Sequence, residues 1–388
     1  MLSSSNEQTS LWPLLLATLV VQSAFGTILP LLPLFVKARG LPLSWLGIMA
    51  ALYALVAFVG QLFFGRLSDI WGRKRFMLLG TALSTLGTLF FLIHTAPIYF
   101  LGFRALQGLG VAAFLPAANA LVADRVPSHR RGRAFALLSS FYMAGFAVGP
   151  MIGGLASAVG GLSLPFEVGV VLGVIAIIAV LFGIRESSPM PRSVQKEAKP
   201  HPIPWNTLGR WLVLNFGWMG LGGMYDATWS IYMDQLGASH IVIGLSWTLF
   251  ALPYLLFNFL AGRLADKAAW RSRLIYGGAL LNGIIVLLYV ASDSPSVSIA
   301  LSVLEAVSMS LITPSLNADV MSHSQTATRG QIQGLFQSAG TLGSFFMALA
   351  SGYLLPYGPK WALLAGACVL FLSVGTSWVW GNGATMSS

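Results

Sequence analysis

Gly65-Arg66-Leu67-Ser68-Asp69-Ile70-Trp71-Gly72-Arg73-Lys74-Arg75 and its echo, Gly262-Arg263-Leu264-Ala265-Asp266, organise the reading of the whole chain. The two lie about 197 residues apart, and the offset holds beyond them: Gly40, Gly47 and Gly80 fall on Gly237, Gly244 and Gly277. With a slip of one residue, Pro116, Asn119, Arg131 and Gly132 fall on Pro314, Asn317, Arg329 and Gly330. One matched glycine is cheap. A string of Gly, Arg, Asp, Pro and Asn at a near-constant offset marks an internal duplication.

Around these loops run twelve apolar stretches, at 11–35, 45–65, 76–94, 98–121, 134–157, 164–184, 210–232, 241–261, 274–291, 297–319, 331–355 and 361–380. Each is long enough to cross roughly 30 Å of hydrocarbon at about 1.5 Å per residue. Composition agrees. Of 388 residues 56% are hydrophobic and 9% charged, whereas a soluble domain carries about 25% charged residues. So little charge excludes an ordinary soluble enzyme and intrinsic disorder alike. The expectation is an all-α integral membrane protein of twelve transmembrane helices in two pseudo-symmetric six-helix bundles.

The net charge of +10 would suggest nucleic acid in a soluble protein, so the placement of the charges matters. With the N-terminus inside, the inner connections hold Arg66, Arg73, Lys74, Arg75, Arg125, Arg130, Arg131, Arg133, Arg185, Arg192, Lys196, Lys199, Arg210, Arg263, Lys267, Arg271, Arg273 and Arg329. The outer ones hold Lys37, Arg39 and Lys360. That asymmetry puts both termini in the cytoplasm by the positive-inside rule, and it accounts for the basic excess without nucleic acid. The first apolar run is expected to stay as a span, because no Lys or Arg precedes it and it is too long for a signal-peptide core. The proline- and charge-rich stretch at 185–209 reads as a cytoplasmic linker between halves at 1–184 and 210–388. Two parallel six-span halves describe a secondary transporter with its site between them near mid-membrane. A single cysteine, Cys368, excludes a disulfide framework.

The loop at 65–75 closely resembles the signature loop of the major facilitator superfamily. Arg104-Ala105-Leu106-Gln107-Gly108-Leu109-Gly110 in the fourth span resembles a second motif of that family. Gly145-Phe146-Ala147-Val148-Gly149-Pro150-Met151-Ile152-Gly153-Gly154 in the fifth resembles the motif typical of its antiporters. The resemblance covers essentially the whole chain and points to the twelve-span drug and proton antiporters. It implies a monomeric plasma- or inner-membrane protein that needs no cofactor, draws on the proton gradient and moves small amphipathic compounds. It also implies a gating role for Gly65, Asp69, Gly72 and Arg73, with Asp266 as the counterpart in the second half.

Elementary chemistry gives these residues reasons of their own. A carboxylate at Asp69 can accept from helix N-terminal amides or pair with an Arg of a neighbouring helix, forming a latch on the inner side. Gly145, Gly149, Gly153 and Gly154 lay a groove along the fifth helix that admits a close neighbour, and Pro150 permits a kink. Met347 and Ala348 replace Gly149 and Pro150 in the second half, so the halves are not functionally equivalent.

Three ionisable residues fall inside spans, where a charge is costly and reads as functional. Arg104 lies six residues into the fourth span; Asp226 lies deep in the seventh, on a face with Met219, Gly222, Gly223, Trp229, Ser230 and Met233. Glu305 lies in the tenth, with Ser302 and Ser308, and matches Gln107 of the first half. A carboxylate in an apolar cavity can bind and release a proton, and protonation removes the charge that holds a cationic ligand. Asp226 and Glu305 are therefore the candidate proton-coupling residues. The alternative for each is a structural ion pair with Arg104. Gln22, Phe25, Arg104, Gln107, Tyr142, Met143, Phe146, Met219, Trp229 and Met309 are candidates for lining an adaptable aromatic and methionine-rich cavity. No Walker loop, nucleophile elbow or zincin helix supports an ATP-driven or enzymatic reading, and the five histidines are too scattered for a metal site. The expected function is proton-coupled export of amphipathic drugs. The alternative is an exporter or flippase of a specific metabolite, sugar or lipid-linked glycan.

Overall fold

A computed structural model of the chain describes residues 11–93, 96–127, 130–186, 205–322 and 329–386. Most of the expected linker, and His94, His129, His201 and His323, lie outside the described residues. Every regular element described is helical, as hydrocarbon demands, because a helix satisfies its backbone groups within one segment. The first half comprises α1 (Trp12–Ile28), α2 (Leu32–Ala38), α3 (Ser44–Trp71), α4 (Arg73–Ile93), α5 (Pro97–Arg125), α6 (Arg131–Gly160) and α7 (Leu164–Gly183). The second comprises α8 (Trp205–Gln235), α9 (His240–Ala265), α10 (Ala268–Ala291), α11 (Pro295–Ser322), α12 (Arg329–Leu354) and α13 (Pro359–Met386).

Two expectations need correction. The first span is not one helix: it breaks between Ile28 and Leu32, where Pro30 and Pro33 supply no amide donors to the helix ladder. The seventh span, α8, starts at Trp205, five residues before the expected 210. Asn206, Thr207 and Arg210 hide that first turn from a search for apolar runs. The same polarity, with Asp226 and Asp234, keeps α8 out of the eleven spans that length and apolarity alone identify.

Within the first half, α1 packs on α6 and α7, α4 on α5 and α7, and α3 on α5. Within the second, α8 lies between α12 and α13, while α11 packs on α9 and α10. The halves meet along two symmetric seams, α3 on α12 and α6 on α9. Lipid tails are as apolar as leucine, so helices here associate through close backbone approach, which small residues permit. A Cβ on Gly149 would lie 2.6 Å from the carbonyl oxygen of Ser23, and Gly145 and Gly153 press on α1 in the same way at Leu19 and Thr27. Gly154 instead turns across the seam, where a Cβ would lie 2.8 Å from the carbonyl oxygen of His240. In the other seam a Cβ on Gly352 would lie 2.6 Å from Cα of Gly47. The expected groove on the fifth span therefore has two occupants, three glycines facing α1 and one facing α9.

These seams lie toward the face opposite the basic loops. There Lys37 pairs with Asp234 at 2.8 Å, and the Ser157 hydroxyl contacts Nδ1 of His240 at 2.8 Å. The halves are closed at that face.

Gly153→Ala should lower the unfolding free energy by about 1–3 kcal/mol, because α1 must move to admit the methyl group. Gly102→Ala, whose Cβ meets open space, should be neutral or stabilising by up to about 1 kcal/mol. Thermal melts in detergent will compare them.

Candidate functional site

Arg104 enters the middle of the molecule from α5 and is 2% exposed. Its Nη2 donates to Oδ2 of Asp226 on α8 at 2.7 Å, and its Nη1 donates to Oε1 of Gln107 at 3.2 Å. The guanidinium lies 4.5 Å over the ring of Tyr53, which stacks on Phe25 at 5.5 Å. Gln107 passes the chain onward, donating to the Thr88 hydroxyl at 3.2 Å. Two groups of the first half, Gln107 and Tyr53, thus hold Arg104, and its charge is met by a carboxylate of the second. The ion pair that the sequence permits forms with Asp226 and not with Glu305.

Glu305, buried on α11, has no cation within 4 Å among the described residues. Its Oε1 accepts from the Tyr225 hydroxyl at 2.7 Å and, at a longer 3.5 Å, from Nδ2 of Asn282. Its Oε2 accepts from the Tyr289 hydroxyl at 2.8 Å. Around it stand Trp229, 5.1 Å from the Tyr289 ring and 5.8 Å from that of Tyr225. Trp229 is itself fixed by its indole N–H, which donates to the Ser246 hydroxyl at 2.9 Å.

Each half encloses a cavity beside its own member of the repeat pair. In the second, a cavity of about 40 Å³ is lined by Tyr225, Trp229, Ser246, Trp247, Phe250 and Glu305, with Ser302. In the first, a cavity of about 40 Å³ is lined by Gln22, Phe25, Tyr53, Gln107 and Tyr142, and by a stripe of hydroxyls on α4: Thr81, Ser84, Thr85 and Thr88. Those threonines donate to carbonyls of their own helix at 2.8–3.0 Å, leaving acceptor lone pairs toward the space. Among the described residues, no charged side chain lines this first cavity. Gln107 and Glu305, matched in the repeat, therefore face matched cavities of opposite character.

Of the candidate lining residues, Gln22, Phe25, Gln107 and Tyr142 meet in the first cavity and Trp229 in the second. Met143, Met219 and Met309 line neither. Met219 turns into the seam with α12, where a Cβ on Gly340 would lie 2.8 Å from its Cγ; helical spacing defines a face but not the neighbour it meets. Phe146 packs edge-on against Trp247 across the halves, with ring centres 6.0 Å apart. Sequence reasoning did not find Tyr53, Thr88, Tyr225, Asn282 or Tyr289. Asn282 and Tyr289 stand seven apart on α10, one face of a helix, and that polar pair in an apolar span was the available signal.

At the basic face, Gly72 ends α3 at φ +103°, which favours glycine; a Cβ there would lie 2.8 Å from the carboxyl carbon of Glu186. Glu186, just beyond α7, accepts from the backbone N–H of Lys74 at 3.2 Å, capping the start of α4. Arg73 pairs with Asp69, bonds the Ser68 hydroxyl at 2.8 Å and reaches Asp124 at the end of α5 at 3.3 Å. The signature loop thus ties four helix ends of one half together, and Gly65 meets only Pro116 of that half. Asp69 is latched by Arg73 of the next helix and not by the other half. Asp266 is an exposed residue just past α9.

Twelve spans in two related halves, joined by the Arg104–Asp226 ion pair beside a cavity in each half, have the architecture of a membrane transporter. The chain belongs to the Major Facilitator Superfamily, whose model matches residues 14–225 and again 212–387. It is 25% identical to Multidrug resistance protein 2 of Bacillus subtilis over 98% of this chain and 97% of that one. It is 24% identical to the class B Tetracycline resistance protein of Escherichia coli, covering 92% and 93% of the two chains. The Quinolone resistance protein NorA of Staphylococcus aureus is 26% identical over 85% of each. Among solved structures, a bacterial homologue of the human lysosomal transporter Spinster, inward-facing and unoccupied, superimposes with a TM-score of 0.80 at 14% identity over 98% of both chains.

Arg104→Gln should lower the unfolding free energy by about 3–5 kcal/mol, since it leaves Asp226 without its cation. Combined with Asp226→Asn it should cost less than the sum of the two single changes, which a double-mutant cycle on chemical unfolding will read.

Proposed function

We propose that this chain is a proton-coupled antiporter that exports amphipathic cationic or zwitterionic compounds by alternating access of its two halves. The observation that carries the reading is Glu305, a buried carboxylate without a cation, opening onto an aromatic cavity. A proton and a cationic ligand compete for such a group, and competition for one site is what couples their opposite movements. Trp229, Tyr225, Trp247 and Phe250 supply flat faces for an amphipathic cation. The Arg104–Asp226 pair acts as the link between halves, exchanging partners as they rock. Three drug-resistance relatives spanning most of this chain support export of drugs.

The basic face is taken as cytoplasmic, so closure at the opposite face corresponds to an inward-facing state of a plasma-membrane protein. The protein works as a monomer without a cofactor, on the proton gradient. A second reading rests on the uncharged, hydroxyl-lined first cavity, which suits a neutral polyhydroxylated solute. It makes the chain an exporter of a specific metabolite.

In liposomes with an imposed pH gradient, wild type should move a fluorescent amphipathic cation, and Glu305→Gln should cut gradient-driven flux at least ~10-fold, the scale of one lost charge-assisted contact of about 1.5 kcal/mol. Asp226→Asn should also reduce it, with a lower melting temperature that Glu305→Gln does not share. Wild type inert toward cations but active with a neutral sugar would favour the second reading.

A further inference from the structure

On the outer flank of the second half, α8, α10 and α13 leave a groove of about 660 Å³ open to the surroundings at the level of the basic loops. Arg210 and Arg273 stand at its basic end, and Leu280, Val374 and Gly375 carry it into the hydrocarbon. From Arg273 to Leu280 is seven residues of helix, about 10 Å along the membrane normal, so one groove spans headgroup and acyl levels. Trp378, 58% exposed, stands beside it at the depth where indoles collect at membrane interfaces. A Cβ on Gly375 would meet nothing within 4 Å, so the apolar end is unfilled.

The charges at the mouth are only partly answered. Arg210 lies 3.7 Å from Asp319, whose Oδ2 already accepts from the indole of Trp211 at 2.8 Å, and the Nε of Arg210 is buried without a partner. Arg273 lies 5.6 Å over the ring of Trp270 and has no carboxylate within 4 Å among the described residues. One carboxylate against two guanidiniums leaves a net positive mouth above an apolar slot. Basic pockets between spans on the cytoplasmic side are suited to anionic lipid headgroups.

We propose that this groove is a binding site for one anionic phospholipid, its phosphate between Arg210 and Arg273 and one acyl chain along Leu280 and Gly375. A lipid held there touches α8, which carries Asp226, so leaflet composition reaches the link between the halves through a rigid helix.

The test is native mass spectrometry of the full-length protein released from neutral detergent after titration with phosphatidylglycerol or phosphatidylcholine of the same chains. Wild type should retain one phosphatidylglycerol in preference to phosphatidylcholine. Arg273→Gln should weaken that preference about fivefold, the effect of roughly one basic residue at a charged headgroup. Gly375→Leu, which fills the slot where there is room for it, should weaken retention of both lipids. Arg263→Gln, on the same face but outside the groove, should leave the preference unchanged. Equal retention of the two lipids by wild type, or an equal loss from Arg263→Gln and Arg273→Gln, would overturn the proposal in favour of diffuse attraction by the basic face.

Discussion

A guanidinium keeps its charge, and Arg104 carries one to the centre of the membrane domain, where charge is tolerated only if paired. Among the described residues, the one carboxylate within 4 Å of it belongs to the other half. Much of the surrounding architecture serves that meeting. Tyr53 supports the guanidinium, Gln107 orients it and Thr88 orients Gln107. Because one partner lies in each half, the pair registers their relative position. Its energy depends on how far the seams at Gly154 and Gly352 have closed.

Glue of a different kind holds those seams. Between Gly154 and Gly244, and between Gly47 and Gly352, backbones touch with no side chain between them. Contact of that kind is short-ranged and lost by small separations, so a seam is either formed or open. Deeper in, Thr248 donates to the carbonyl oxygen of Ala147 at 2.6 Å, a bond that the same separation breaks. At the basic face the signature loop spends its charges within one half, binding the ends of α3, α4, α5 and α7 into a unit that can move as one body.

The duplication has produced two chemistries from one frame. At the paired positions Gln107 is neutral and faces hydroxyls, while Glu305 is acidic and faces indoles and phenols. One cavity offers neutral polar contacts, the other a carboxylate among aromatic rings. The halves share helix order and seams, yet Met347 and Ala348 stand where Gly149 and Pro150 close α6 upon α1. There α12 meets α8 through Gly340 and Gly343 instead.

Span number, duplication and charge asymmetry were legible in the sequence, because they follow from length, periodicity and transfer free energy, which each residue carries with it. So were Arg104, Asp226 and Glu305, since a charge in an apolar run announces itself. The break at Pro30 and the first turn of α8 were not, as local proline geometry and a polar helix start leave no mark on an apolar-run search. Which acid takes the arginine was decided only by the fold: α8 borders the first half and brings Asp226 to Arg104, while α11 packs on α9 and α10 and turns Glu305 toward Tyr225 and Tyr289. Helical spacing ranks residues around an axis. The angle at which that axis meets its neighbours is settled by backbone contacts, such as those of Gly149 and Gly343, between segments far apart in the chain.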